Sequence, residues 1–203
     1  MSDCRQKFAP MGLTLLSGVE MGNPHQHLPE ATAFLNRFPM DVRIASLHWL
    51  YGENIHDPVC FEGRDPQTVY ADYFLELRNL VSGFGPIDIL AHFDRILWRG
   101  TLLGAPFDPL TLEPLVRDTL STVAWRGIAL ELNMRLLDHT PNWRSALATM
   151  LSWFAEEGGR HVVVDSDAHH INQLGSNLDL AVEVLQEAGL RPARLSLAER
   201  DLA

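Results

Sequence analysis

The stretch Val162-Val163-Val164-Asp165-Ser166-Asp167-Ala168-His169-His170-Ile171 joins an apolar run directly to a polar tail. A continuous run of valines is typical of a strand that is buried on both faces, as in a parallel sheet. Asp167 and His169 follow this strand at its carboxyl end, which is where α/β folds build their binding and catalytic sites. The stretch therefore predicts a parallel α/β fold with polar chemistry at one edge of the sheet.

Short apolar runs alternate with helical patterns along the rest of the chain. Strands are predicted over residues 13–19, 42–47, 87–91, 128–132, 161–164 and 194–197, and helices over 29–38, 69–81, 112–125, 145–157 and 178–188. Residues 1–12 and 49–65 carry no predicted element. This alternation is typical of a parallel sheet with right-handed crossovers. No repeat or linker divides the chain, so we predict one domain over residues 1–203.

Composition limits the class of protein and its partners. The chain has 203 residues, of which 46% are hydrophobic and 21% charged, as in soluble globular proteins. The net charge of −10, with no basic cluster, argues against nucleic acid or an anionic membrane as a partner. The two cysteines provide no disulfide framework. No signal peptide and no run of roughly 20 apolar residues is recognised, so we expect a cytoplasmic protein.

Metal-ligating side chains follow four of the predicted strands. These residues are Glu20, His48, His92, Asp167 and His169. Carboxylate oxygens and imidazole nitrogens are suitable ligands for zinc, manganese or iron. Each position has a simpler explanation, because a lone histidine after a strand is more often structural and an acidic residue often caps a turn or helix. The coincidence at four strand ends favours a metal site.

Two arginines are candidates for holding a phosphate group. Arg135 comes two residues after Asn133, at the end of the fourth strand. Its planar guanidinium is suited to binding a phosphate there, and an ordinary surface arginine is an equal alternative. Arg95 follows His92 and is the second candidate. We find no glycine-rich phosphate loop and no Ser/His/Asp or Cys/His nucleophile pattern.

The other histidines are weaker candidates for metal ligands. His25 and His27 are interpreted as surface residues, and His56 as a residue that could line the pocket. Structural or solvent-exposed positions are predicted for His139, His161 and His170.

Five motifs occur in an order that resembles a known superfamily. They are Leu16-Ser17-Gly18-Val19-Glu20-Met21-Gly22, Ile44-Ala45-Ser46-Leu47-His48, Asp88-Ile89-Leu90-Ala91-His92-Phe93-Asp94, Leu130-Glu131-Leu132-Asn133 and Asp165-Ser166-Asp167-Ala168-His169. Together they resemble the PHP (polymerase and histidinol phosphatase) superfamily, and most closely its histidinol-phosphatase branch. The resemblance extends over residues 13–189.

The resemblance implies a distorted (β/α)7 TIM-like barrel that holds one to three divalent metal ions at its rim. Members of this branch use metal-activated water to convert L-histidinol phosphate into L-histidinol and phosphate, in histidine biosynthesis. By position, Glu20 matches a carboxylate that bridges two metals, with His48 and His92 on one of them. Asp167 matches a ligand of the other metal, and His169 a ligand of a third. Glu20 and Asp167 would position the cations for catalysis, and Arg135 lies near the branch's phosphate-binding arginine.

The chain departs from the family pattern ahead of Glu20. The family opens with a His-x-His strand and later has an Asp-His pair, and neither is found there. We therefore expect one complete metal site, formed by Glu20, His48 and His92, in a barrel that lacks its first strands. Unpaired strand edges favour association, so we expect either a homo-oligomer that covers the open edge or coverage of that edge by residues 1–12.

Three functions are compatible with these features. The first is hydrolysis of histidinol phosphate. The second is a metal-binding remnant of the superfamily that has a structural or interaction role. The third is hydrolysis of another small phosphate ester, because substrate choice depends on the shape of the pocket and not on the fold.

Overall fold

The protein is an α/β structure built on one parallel sheet. The computed structural model describes residues 2–135 and 141–193. The strands are β1 (Gly18–Gly22), β2 (Val42–Ser46), β3 (Trp49–Leu50), β4 (Glu53–Asn54), β5 (Ile89–Leu90), β6 (Ala129–Asn133) and β7 (Val162–Asp165). The main sheet has the order β1-β2-β5-β6-β7 and all its neighbours are parallel, while β3 and β4 form a separate antiparallel hairpin.

Helices connect the strands of the sheet. They are α1 (Ser2–Phe8), α2 (Leu28–Arg37), α3 (Pro66–Gly83), α4 (Arg95–Leu102), α5 (Glu113–Trp125), α6 (Pro141–Glu156) and α7 (Leu178–Glu187). The five predicted helices are confirmed within a few residues at each end. The predicted strands over 42–47, 87–91, 128–132 and 161–164 are also confirmed, and the first strand begins at Gly18 rather than at residue 13. The strand predicted over 194–197 lies outside the described residues.

The longest described helix, α3, illustrates why these elements form. Asp65 caps its amino end, since the carboxylate accepts a hydrogen bond from the backbone N–H of Thr68 at 3.0 Å. Val69, Tyr73 and Leu77 lie one turn apart on the predicted apolar face and are fully buried. That face packs against α5, which in turn contacts α6.

Two helices were not predicted from the sequence. The prediction that residues 1–12 are irregular is wrong, since α1 occupies most of this segment. This short helix is held by its side chains, because Arg5 donates to the carbonyl of Leu15 at 2.9 Å and pairs with Asp41. The second is α4, since no helix was predicted between residues 81 and 112. Gly100 lets α4 pack closely against Tyr70, because a Cβ at this position would clash with the tyrosine hydroxyl oxygen.

The strand order follows the chain without reversal. A doubly wound sheet reverses its order at the point where ligands bind, whereas consecutive order is typical of (β/α) barrels. Among the residues that the structure describes, β1 pairs with β2 and β7 with β6, and these two outer strands do not pair with each other. The α/β class and the parallel sheet are thus confirmed, and closure into a barrel is not shown by these pairings.

The two faces of the sheet have different environments. Leu130 and Leu132 of β6 point into the main core, which the helices cover. The alternate residues of β6 point the other way, and the apolar residues buried on that face form a small cluster around Val42, Ile89 and Ala129, beside the buried polar side chains of Glu131 and Asn133. Glu20 pairs in register with Ile44 on this second face. Polar residues near the carboxyl ends of the strands can therefore project into open space on this side.

No helix among the described residues is both long enough and apolar enough to cross a membrane.

Candidate metal centre

Three side chains from different strands converge at the carboxyl edge of the sheet. Glu20 lies on β1, His48 follows β2, and His92 follows β5. Their ligand atoms all lie within 4.8 Å of one another. The Oε1 atom of Glu20 is 3.3 Å from Nε2 of His48 and 3.2 Å from Nε2 of His92. The predicted meeting of strand ends thus places two nitrogens and one oxygen around a single point, and this donor set fits a divalent transition metal.

The electrostatics of this cluster keep the carboxylate charged. Hydrogen bonding from His48, and then from His92, holds the pKa of Glu20 well below its usual range, against the opposing effect of burial. The two imidazole rings stack with their centroids 5.2 Å apart, and their Nε2 atoms are separated by 3.4 Å. An ionised carboxylate beside two imidazole nitrogens is the chemistry that a zinc-type ion requires.

Glu131 supports one of these histidines and was not singled out from the sequence. His92 has a φ of +26°, which is unusual for a residue with a side chain. Its backbone N–H donates to Oε2 of Glu131 at 2.7 Å, which helps to hold that conformation. Burial raises the pKa of Glu131 to about 8, and the neighbouring carboxylates of Asp165 and Glu20 add to this effect. Glu131 stands out in the sequence only as a charged residue inside an apolar strand, which is itself a reason to suspect function.

The cluster opens into a cavity of about 540 Å³. Besides the three clustered residues, the cavity is lined by Trp49, Asn54, His56, Arg95, Glu131, Asn133, Arg135, Asp165, Asp167 and His169 among others. The cavity therefore contains every site residue predicted from the sequence. Asp165 is a further acidic residue at this site that the sequence interpretation did not select.

Asp167 and His169 lie in the cavity but apart from the three-residue cluster. Among the described residues, only Glu20, His48 and His92 form a group of three ligand atoms within 4.8 Å. The side chain of His169 is 58% exposed. Its Nδ1 atom lies 2.8 Å from the carbonyl oxygen of Asp167, to which a protonated Nδ1 donates, and 2.9 Å from Arg135, from which an unprotonated Nδ1 accepts. Metal binding by Asp167 and His169 therefore stays a prediction.

The two predicted phosphate-binding arginines line the same cavity in different environments. Arg135 is 43% exposed and lies 3.6 Å from a carboxylate oxygen of Asp167. Arg95 begins α4, is buried, and donates from Nε to Nε2 of His56 at 3.1 Å. One terminal nitrogen of Arg95 is buried with no hydrogen-bond partner in the described part of the chain. Burial lowers the pKa of His56 to about 4, and the positive charge of Arg95 contributes, so this imidazole is neutral near pH 7.

The remaining histidines mostly follow the predictions. His56 lines the cavity as predicted, and both His161 and His170 are exposed. The interpretation of His25 as a surface residue is wrong. Its side chain is only 8% exposed, and its Nε2 atom lies 2.7 Å from Oε1 of Glu76 on α3. His27 is exposed, and His139 lies outside the described residues.

Comparison with known sequences identifies three curated bacterial proteins. A probable histidinol-phosphatase of Clostridium acetobutylicum is 23% identical over 178 residues, which cover 88% of this chain and 69% of that protein. The histidinol-phosphatase of Lactococcus lactis is 23% identical over 85% of this chain and 64% of its own length. A probable histidinol-phosphatase of Deinococcus radiodurans is 28% identical over 77% of this chain and 58% of its own length. The chain thus spans between 58% and 69% of these relatives, and no family model matches it.

Comparison with solved structures supports the fold. The crystal structure of histidinol phosphate phosphatase from Lactococcus lactis, a complex with zinc, L-histidinol and phosphate, superimposes with a TM-score of 0.80. It is 20% identical in sequence, and the match covers 97% of this chain and 76% of that one. The resemblance to histidinol-phosphatases that the motifs predicted is confirmed, while the predicted absence of a His-x-His strand is not tested by these comparisons.

The contact between Glu131 and His92 leads to a prediction about stability. Glu131→Leu leaves the buried N–H of His92 without an acceptor, whereas Glu131→Gln keeps an oxygen at the same place. We expect the leucine variant to have a free energy of unfolding about 1–3 kcal/mol lower than the glutamine variant. Urea denaturation of the metal-free proteins measures this difference. Equal stability of the two variants would show that the hydrogen bond has no structural role.

Proposed function

We propose that this chain is a metal-dependent phosphomonoesterase that hydrolyses L-histidinol phosphate to L-histidinol and phosphate. The observation that carries the proposal is the convergence of Glu20, His48 and His92 within 4.8 Å, in a cavity that also contains Arg95 and Arg135. A cation site and two guanidinium groups in one cavity suit a phosphate ester, whose oxygens need positive charge on more than one side. The similar proteins supply the substrate, because all three are described as histidinol-phosphatases or probable ones.

The cofactor in this proposal is a divalent metal ion, held by Glu20, His48 and His92. The similar solved structure contains zinc, and manganese and iron suit the same donor set. When bound, such an ion supplies Lewis acidity, which activates water and offsets the charge that develops on phosphate. Before a metal binds, hydrogen bonds from both histidines hold the pKa of Glu20 well below its usual range, so an ionised carboxylate is available as the anionic ligand.

Asp167 and His169 complete the proposed site on the opposite side of the cavity. Asp167 is 28% exposed and is held near Arg135, so its carboxylate is available to a further cation or to water. Together with Glu20 it is proposed as a catalytic carboxylate. His169 is proposed as a ligand of an additional ion, which gives one to three metals per chain.

The arginines are proposed to hold the phosphate group. Arg95 has a buried N–H group that no described residue accepts from, and an anion in the cavity would satisfy it. Arg135 presents a more exposed guanidinium from the end of β6. Between them they offer donors from two directions, which fixes the orientation of a tetrahedral group more firmly than one arginine does.

The sheet is proposed to be part of a (β/α)7 TIM-like barrel of the PHP type. Support comes from the consecutive order of the parallel strands and from the TM-score of 0.80. In this interpretation, the face of the sheet that carries Glu20 and Glu131 is the interior of the barrel. The absence of a His-x-His strand ahead of β1 and a cytoplasmic location stay predictions.

Removal of a ligand tests the metal site and the reaction together. His48→Ala takes away one of three donors, and we expect metal affinity to fall by more than about 100-fold. We expect the rate of phosphate release from histidinol phosphate to fall by about 1,000-fold, since the cation contributes several kcal/mol to catalysis. Metal content by mass spectrometry and phosphate release measure the two effects, and stripping the wild-type protein with a chelator should reproduce the loss of rate.

His161→Ala is the matched control, because this histidine is exposed at the start of β7, at the opposite end of the strand from the site. It should retain both metal and activity. Full activity of His48→Ala would contradict the proposed site. A wild-type protein that binds metal but hydrolyses no phosphate ester would favour a metal-binding remnant with a structural role, and hydrolysis of a different ester alone would change the substrate.

Arg135 can be tested separately from the metal. Arg135→Ala removes a charge-assisted contact worth about 1.5–3 kcal/mol, so kcat/KM should fall by roughly 10- to 100-fold. Metal affinity at the site formed by Glu20, His48 and His92 should stay unchanged. Arg135→Lys keeps the charge but loses the planar fork and should recover only part of the activity. Arg160→Ala, an exposed arginine just before β7, is the control. Unchanged kinetics in Arg135→Ala would exclude a role in substrate binding.

The outer edge of β1 leads to a prediction about assembly. In the described residues this strand pairs on one side only, with β2, and an unpaired edge favours association with another chain. We propose a homo-oligomer that covers this edge. Sedimentation velocity should detect a dimer or larger species, and a stable monomer at micromolar concentration would contradict the proposal.

A further inference from the structure

We propose that Asn23 is a positioning residue for the metal centre, whose side-chain amide fixes the backbone of His48 and so directs its imidazole toward Glu20. The inference rests on the proposed metal site, and it adds a residue that neither the sequence motifs nor the ligand geometry had identified. Asn23 directly follows β1 and is only 1% exposed.

The amide group of Asn23 forms three hydrogen bonds to two consecutive residues. Its Oδ1 atom accepts from the backbone N–H of His48 at 2.9 Å and from that of Trp49 at 3.0 Å. Its Nδ2 atom donates to the carbonyl of Trp49 at 2.9 Å. A buried amide that satisfies nearly all its bonding capacity on one dipeptide holds that dipeptide in a single conformation.

The backbone of Asn23 joins the two strands that carry the ligands. Its N–H donates to the carbonyl of Ser46, the last residue of β2, at 2.8 Å. Its φ of +47° and ψ of +44° lie in the left-handed region, which asparagine tolerates better than most residues with a side chain. Asn23 therefore ties the end of β1, which carries Glu20, to the segment after β2, which carries His48.

This tie matters because His48 lies beyond the paired part of β2. The strand ends at Ser46, so the peptide of His48 is held by other groups. Its carbonyl accepts from the N–H of Ile55 at 2.9 Å, and its N–H is bound by Asn23. Without Asn23, the N–H of His48 would lose its only hydrogen-bond acceptor among the described residues.

The preceding glycine provides the space that the imidazole needs. A Cβ atom on Gly22 would lie 3.0 Å from Nδ1 of His48, which is closer than side chains normally approach. The ring occupies that space, and its Nε2 then faces Oε1 of Glu20 at 3.3 Å. Gly22 thus leaves room for the ring while Asn23 fixes the backbone that carries it, and pre-organisation of this kind raises metal affinity.

The experiment measures the affinity of the full chain for Co²⁺ and Zn²⁺ by competition with a chelator. Asn23→Gly removes the amide but is compatible with a left-handed backbone, so it isolates the loss of the three hydrogen bonds. We expect its affinity to fall by about 10- to 100-fold, the range found for residues that orient metal ligands. Asn23→Asp keeps the two accepted bonds and loses the donor, so it should restore part of the affinity. The visible absorption of the Co²⁺ form should also change in the glycine variant, because His48 no longer holds a fixed position.

Thr119→Val is the matched control, since Thr119 is a buried polar residue that bonds to the carbonyls of Phe74 and Leu115 away from the cavity. It should lower thermal stability and leave metal affinity unchanged. Affinity of Asn23→Gly within about twofold of wild type, or an equal loss in Thr119→Val, would overturn the proposal. If the glycine variant does not fold, Asn23→Ala decides, because it also removes all three hydrogen bonds: wild-type affinity there would overturn the proposal and a loss of several-fold would support it. A wild-type protein that binds neither ion would instead refute the metal site itself.

Discussion

The site depends on one geometric constraint: in a parallel sheet all carboxyl ends lie at the same edge. Glu20, His48 and His92 are far apart in the chain, yet each lies on or just after a strand of this sheet. Parallel register brings their ligand atoms within 4.8 Å of one another, and hydrogen bonds from Asn23 and Glu131 then fix the backbone of the two histidines. The helices that cover the other face of the sheet hold this edge in place. The position of the candidate metal site is thus determined first by the direction of the strands and only then by individual side chains.

The cavity combines charged groups of both signs. Carboxylates come from β1, β6 and the end of β7, and guanidinium groups come from Arg95 and Arg135. A phosphate ester needs positive charge around its oxygens, and the two arginines supply part of it permanently. The ligand cluster of carboxylate and imidazole would become positive only with a metal bound. Local positive charge of this kind makes an anionic substrate compatible with a net charge of −10.

The sequence predicted the strand ends well and the supporting residues poorly. Each ligand candidate follows an apolar run, so its place at the edge could be predicted from periodicity alone. Asn23 and Glu131 each accept a hydrogen bond from the backbone of a ligand histidine in another segment. The spacing of residues within one segment does not indicate a hydrogen bond to a different segment. The stretch at Asp167 and His169 had the plainest motif, yet those residues lie apart from the clustered ligands. Their separation depends on the left-handed turn at Asp167, where φ is +45°, and sequence alone does not specify that turn.

The hairpin formed by β3 and β4 has a mechanical consequence for how substrate reaches the site. It begins with Trp49, which is bonded to Asn23, and the N–H of Ile55 just after it is bonded to His48. A hairpin attached in this way cannot swing as an independent lid, because its displacement would pull a metal ligand out of place. Exchange between the cavity and solvent therefore has to use a fixed opening. Arg135 and His169 are well exposed in this opening, and Glu20 is exposed to a similar extent as Arg135, so both the arginine and the ligand cluster are reached from solvent without movement of the hairpin.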